Sequence, residues 1–202
     1  MKLYYSPGAC SLAPHIALAE AGLAFDIVRV DIRSHKLQDG SDYLAINPLG
    51  YVPLLELDDG SHLSECAVIM QYIADQAPNS HLAPANGTLP RYRLQEWLNI
   101  ISTELHKGFS PLFSPGMPEE AKSIARQRLN SRLAWIDGQL NGKPFLTGEH
   151  FSIADSYLFT VTNWAQHTAI DLSPYPAICA LRDRIAARPA VQRAMKAEGI
   201  LK

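Results

Sequence analysis

Lys2-Leu3-Tyr4-Tyr5-Ser6-Pro7-Gly8-Ala9-Cys10-Ser11-Leu12 is the stretch that decides the fold. Lys2 to Tyr5 reads as a short strand, and Ser6-Pro7-Gly8-Ala9 as a turn. The Ala-rich run that follows reads as a helix over Leu12 to Ala21, stopped by Gly22. A cysteine between a Pro-Gly turn and a helix start meets backbone N–H groups and the positive end of the helix dipole. Both favour the thiolate, the reactive form of cysteine. The alternative for Cys10 is a small buried apolar side chain, as many cysteines outside disulfides are.

Further along, Phe25 to Val30 reads as a second strand. The polar segment Arg33 to Asp42 leads to a short helix ending before Asn47-Pro48. Pro53 to Leu57 reads as a third strand, Asp58-Asp59-Gly60 as a hairpin turn and His62-Leu63 as the returning strand. Ser64-Glu65 then opens a helix through Val68, Ile69, Tyr72 and Ile73. This β-α-β-α-β-β-α order predicts a small sheet covered by helices. Pro78 to Pro90 has the composition of a linker. Beyond it the period is helical over Arg91–Leu112, Glu119–Leu140, Ile153–His167 and Tyr175–Ala187, with a last short helix over Pro189–Lys196. The expected organisation is a mixed domain over 1–80, a linker over 81–87 and an all-helical domain over 88–202. Ser152-Ile153-Ala154-Asp155 has the form of a capping box, a structural signal at the start of a buried helix.

Composition narrows the function classes. The 202 residues are 47% hydrophobic and 19% charged, which suits a globular protein with a full core. Net charge is −2 with no basic block, so neither nucleic acid nor an anionic membrane is an expected partner. Three cysteines without a Cys-x-x-Cys pair make no disulfide framework, and a reducing cytoplasm is expected. The N-terminus carries no signal-peptide pattern and no run is long enough to span a membrane. The seven histidines are scattered and no metal site is expected.

Several constellations carry possible chemistry. A cis Val52-Pro53 bond would offer the Val52 N–H and C=O to a peptide-like ligand, but cis occurs at only about 5–6% of X-Pro bonds, so the residues alone favour trans. Glu65-Cys66 opens a helix whose N-terminus is a ready anion site, and Glu65 suits a ligand ammonium or simply complements the dipole. Asn99, Thr103 and His106 are spaced to share one helical face beside Lys107, apart from the apolar face of Leu94, Leu98, Ile101 and Leu105. His35 and Lys36 suit a carboxylate. Tyr5 is a possible donor near Cys10, or a packed strand residue. Cys179 and the tryptophans Trp97, Trp135 and Trp164 read as core.

Five segments together resemble the glutathione transferase family, in particular its bacterial beta class: KLYYSPGACSL (2–12), NPLGYVPL (47–54), ECAVIMQY (65–72), EWLNIISTELHKG (96–108) and FSIADSYLFTV (151–161). They cover both halves of the chain. The resemblance implies a thioredoxin-like N-terminal domain, an all-helical C-terminal domain, glutathione as co-substrate in the cleft between them, no metal, and a homodimer. It places Cys10 opposite the glutathione sulfur, and Val52, before a cis Pro53, on the cysteinyl backbone. Glu65 and Cys66 take the γ-glutamyl end. Asn99, Thr103, His106 and Lys107 reach in from the helical domain, with His106 polarising the sulfur.

Two positions depart from the family pattern. Cys66 stands where a serine is common and is a weaker donor. His35 stands where a lysine commonly binds the glycyl carboxylate, with Lys36 adjacent. Glutathione affinity that weakens as the imidazolium is lost would assign that role to His35, and a flat profile to Lys36.

The expected function is transfer of glutathione to hydrophobic electrophiles, with mixed-disulfide chemistry at Cys10 open beside it. Which sulfur attacks is not decided by the residues. The rival readings are a non-catalytic binding or regulatory protein on the same fold, and a carrier of apolar ligands. The wall for the second substrate is expected near Phe109 to Met117.

Overall fold

The computed structural model describes residues Met1–Leu201. They form two compact units, one of Met1–Ala83 together with the chain from Arg188 onward, the other of Pro84–Ala187.

In the first unit, β1 (Lys2–Tyr5), β2 (Asp26–Asp31), β3 (Lys36–Leu37), β4 (Leu54–Glu56) and β5 (His62–Ser64) make one sheet in the order β3-β2-β1-β4-β5. The β1–β2 pair is parallel and the others antiparallel. A parallel pair needs a crossover, and α1 (Leu12–Ala21) supplies it. Alternation along β1 sends Tyr4 to one face of the sheet and Tyr5 to the other. Tyr4 joins Val30, Tyr43, Val52 and Leu54 in a core cluster. Tyr5 lies beside His15 of α1.

The expected helix before Asn47 is instead a single 3₁₀ turn, Tyr43–Ala45, capped by the Asp42 side chain. The polar segment before it contains β3, a two-residue edge strand. Its pairing with β2 could not be read from a period so short. After β5, α2 (Cys66–Gln76) packs on α1, as does α9 (Pro189–Ala197). The C-terminal segment is tied to the N-terminal unit through its polar groups. Arg188 makes a two-pronged ion pair with Glu20 at 2.6 and 2.8 Å. The buried Glu198 carboxylate meets His15 Nδ1 at 2.9 Å and accepts the Gly8 N–H at 2.9 Å.

The second unit holds α3 (Leu89–Ile100), a π-helical turn (Ile101–His106), α4 (Lys107–Phe113), α5 (Glu119–Leu140), α6 (Ile153–Thr162), α7 (Ala165–Thr168) and α8 (Pro176–Ala186). Every residue of α6 is buried. Its start is fixed as the capping box requires: Asp155 Oδ2 accepts from the Ser152 N–H and hydroxyl, and Oδ1 from the Leu146 N–H at 2.8 Å. Burial pushes the Asp155 carboxyl up to about 6.

Two expectations are corrected here. The helix expected over Ile153–His167 breaks after Thr162. The hydroxyls of Thr160 and Thr162 bond back to Ser156 and Leu158 carbonyls, which bends helices, and Asn163 is drawn onto Arg182. Trp135 is not core. It is 45% exposed and leans on Trp97 with ring centroids 5.6 Å apart.

Candidate functional site

The Ser6–Cys10 turn is built before the cysteine is reached. Ala9 N–H donates to the Ser6 carbonyl. The Ser6 N–H donates to Ser11 Oγ at 3.1 Å, and the Ser11 hydroxyl donates back to the Ser6 carbonyl at 3.2 Å. Gly8 adopts a φ of +69°, which a residue with a β-carbon rarely takes. Cys10 thereby sits just ahead of α1, half-buried, and its Sγ lies 3.2 Å from the Val52 carbonyl oxygen. Donation to that carbonyl uses the thiol proton, while the helix start favours the thiolate.

The Val52-Pro53 bond is cis, as the resemblance implied and the residues alone did not. Val52 is fixed from the side before it. The Tyr51 carbonyl accepts both the Tyr43 hydroxyl and the Asn47 side-chain amide at 2.8 Å. Cys66, the first residue of α2, is buried, and its thiol donates to the Cys10 carbonyl at 3.3 Å. The structure therefore brings Cys10, Val52, Pro53 and Cys66 together in one unit.

Four non-glycine residues have positive φ among those described: His35, Glu65, His81 and Ala169. His81 and Ala169 terminate helices, where the left-handed conformation is ordinary. His35 and Glu65 do not. Glu65 has φ +68° and ψ +117°, a strained setting for a residue with a β-carbon. Its side chain is exposed and makes no capping bond, while its carbonyl accepts the Val68 and Ile69 N–H groups.

The His35 ring is pressed on Gly50, where a β-carbon would stand 2.6 Å from Cε1. Its Nδ1 is buried with no hydrogen-bond partner among the described residues. Lys36 is exposed on β3. Tyr5 is buried, on the side of His15, and burial followed by the Glu198 charge pushes its hydroxyl pKa up.

In the helical unit, Asn99 and Thr103 are exposed and His106 is half-buried. The expected single face is altered by the π turn. Its wider i→i+5 bonding advances each residue by a smaller angle, so positions seven apart no longer stack. Thr103 donates its hydroxyl to the Asn99 carbonyl at 2.9 Å. His106 Nδ1 lies 2.7 Å from the Tyr157 hydroxyl, with the Trp164 ring edge-on to it at 5.0 Å. Burial, and then the neighbouring Lys107 charge, pulls the His106 imidazole down to about 4. The ring is neutral near pH 7. With Tyr157 donating to Nδ1, its proton is assigned to Nε2. Lys107 is exposed. Trp164 is also edge-on to Phe109 and Phe113, and Phe113 is half-exposed.

The sequence reading missed Ser11, Glu198 and the π turn. A serine directly after the cysteine was visible in the chain. Glu198 lies about 190 residues from the turn that it holds, and no local pattern reports it.

Residues 8–76 match the glutathione S-transferase N-terminal domain family and residues 100–189 the glutathione S-transferase C-terminal domain family. The chain is 48% identical over 200 residues to glutathione S-transferase GstA of Escherichia coli O157:H7, covering 99% of this chain and all of that one. It is 37% identical over 207 residues to glutathione S-transferase GST-4.5 of Xanthomonas campestris, covering 99% of this chain and all of that one. Among solved structures, a ternary complex of BphK, a bacterial glutathione transferase, superposes with a TM-score of 0.97 at 57% identity over 98% of this chain and 100% of that one. The beta class enzyme of Sphingomonas chungbukensis gives 0.96 at 50% identity over the full length of both. With both domain families matched and nearly the whole length shared at such identities, the chain belongs to the glutathione S-transferase family, in its bacterial beta class.

Proposed function

We propose that the protein transfers glutathione to small hydrophobic electrophiles and that Cys10 exchanges disulfides with glutathione. The observation that carries this reading is the Cys10 Sγ on the Val52 carbonyl, beside the cis Pro53. Such an edge takes the backbone of an extended peptide-like ligand. A sphingomonad relative, 49% identical, has been solved with glutathione bound. In this reading the cysteinyl N–H of glutathione takes the Val52 carbonyl from the Cys10 thiol. Cys10 then loses the acceptor that favours its protonated form, and its ionisation becomes easier as the ligand arrives.

Glu65 and the first turn of α2 receive the γ-glutamyl end, and His35 or Lys36 the glycyl carboxylate. Asn99, Thr103, His106 and Lys107 are the helical unit's contribution. A neutral His106 with its proton on Nε2 is a hydrogen-bond donor to sulfur rather than a cation. Phe113 and the Trp164 cluster supply apolar surface for the electrophile. A homodimer in the cytoplasm completes the reading. The three cysteines, none in a disulfide, fit a reducing compartment.

Calorimetric titration with glutathione, followed by turnover of a chloronitrobenzene, tests it. Saturable binding with turnover is the expected result. Cys10→Ser should abolish adduct formation with glutathione disulfide. Binding without turnover would move the protein to the non-catalytic reading, and no binding would sink both.

A further inference from the structure

The Cys66 thiol forms and breaks no bond in the conjugation as proposed, yet its placement is specific. Its thiol contacts the Cys10 backbone at 3.3 Å, and the two cysteines sit at the starts of α1 and α2, which pack on each other. Two helix N-termini thus present their positive ends to one pair of sulfurs, which offsets the burial of Cys66 and the carbonyl acceptors that favour the protonated thiols. The contact at Cys66 sets its sulfur against the backbone of Cys10 itself, and a disulfide between the two requires the Cys10 side chain to turn off the Val52 carbonyl. Their exposure differs. Cys10 is half-buried, whereas Cys66 is 4% exposed and shielded from solutes. A group so placed is reached by Cys10 more readily than by anything in solution.

We propose that Cys66 is a resolving cysteine, so that the reduced Cys10–Cys66 pair reduces one glutathione disulfide, or one mixed disulfide of glutathione, for each pair oxidised. The proposal rests on the reading of Cys10 as a glutathione-facing thiol. In the first step the Cys10 thiolate attacks one sulfur of glutathione disulfide. The Cys10–glutathione bond forms, the sulfur–sulfur bond of the disulfide breaks, and one glutathione leaves as thiolate. In the second step the Cys66 thiolate attacks Cys10 Sγ. The Cys10–Cys66 bond forms, the bond to glutathione breaks, and a second glutathione thiolate leaves. The two leaving thiolates take up the protons given by Cys10 and Cys66. Two protein thiols are oxidised by two electrons and one disulfide is reduced to two glutathiones. The departing glutathione makes room, because Cys66 lies where the γ-glutamyl end is proposed to bind.

The test is mass spectrometry of the native protein after glutathione disulfide, with alkylation of remaining thiols under denaturing conditions. The expected wild-type product is lighter than the reduced protein by two hydrogens before alkylation, takes the alkyl label on Cys179 only, yields a linked Cys10–Cys66 peptide pair, and carries little glutathione. Cys66→Ser and Cys66→Ala should instead accumulate the Cys10–glutathione adduct, and Cys10→Ser should form neither product. A wild-type protein that keeps the Cys10 adduct while Cys66 stays alkylatable overturns the resolving role and leaves the glutathione site intact. Absence of any adduct in wild type and in both Cys66 variants overturns the reading of Cys10 as well. Since the wild-type measurement is decisive alone, a Cys66 variant that fails to fold does not blunt the test.

Discussion

At the scale of single residues, Glu65 is the clearest case of local stability given up at the site. Its φ of +68° costs on the order of 1–3 kcal/mol for a side chain with a β-carbon, and glycine has no such penalty. Glu65→Gly is therefore expected to raise the free energy of denaturant unfolding by about 1 kcal/mol, while glutathione affinity falls about tenfold or more. Unchanged affinity would remove Glu65 from the proposed site. His106 gives a pH prediction. Its folded imidazole, pulled down to about 4, sits below the ordinary 6.5. The unfolded chain binds the proton first, so stability is lost as pH falls from about 6.5 to about 4, by roughly 3 kcal/mol in all. Activity should show no inflection from imidazole in that window, because the ring is neutral throughout most of it. An inflection near pH 6.5 that disappears in His106→Ala would contradict the buried, neutral ring.

At the scale of elements, α6 depends on its first turn. Asp155 satisfies the Leu146 N–H, the Ser152 N–H and the Ser152 hydroxyl inside the core. Asp155→Ala strands two buried N–H donors, each worth about 1–3 kcal/mol, and is expected to cost about 3–5 kcal/mol in equilibrium unfolding. A loss under about 1 kcal/mol would mean that water or rearrangement replaces the carboxylate. The acid response runs opposite to that of His106. The Asp155 carboxyl, raised to about 6, binds its proton in the folded state first, so its contribution to stability grows as pH falls through about 6 toward 3.8. The capping box was legible because it is a four-residue pattern with a local mechanism. The π turn had no such signature. Asn99, Thr103 and His106 have the spacing of an ordinary helix face, and only the backbone hydrogen bonding over Ile101–His106 reveals the wider turn.

At the scale of the whole molecule, the chain leaves its N-terminal unit, builds a helical one and returns. The return is fixed by Arg188 on Glu20 and by Glu198 on His15 and the Gly8 N–H. Glu198→Ala removes the carboxylate that meets the buried His15 imidazole and accepts the Gly8 N–H, and is expected to cost about 3–5 kcal/mol. Because the Gly8 N–H belongs to the turn that carries Cys10, the alkylation rate of Cys10 should change in the same variant at temperatures where it remains folded. A destabilised variant with wild-type Cys10 reactivity would confine Glu198 to stability.

Periodicity, turn residues and caps determined β1, α1, the β4–β5 hairpin, α2 and α5, since each is specified by neighbours within one or two turns of chain. The five quoted segments determined the family. The tertiary structure alone decided the partner of each functional group. It placed the Cys66 thiol on the Cys10 carbonyl, Cys10 on Val52, Glu198 under the Gly8 turn and Tyr157 on His106. Those contacts join residues between 42 and 190 positions apart. Their chemistry depends on burial and direction, which one-dimensional patterns do not carry.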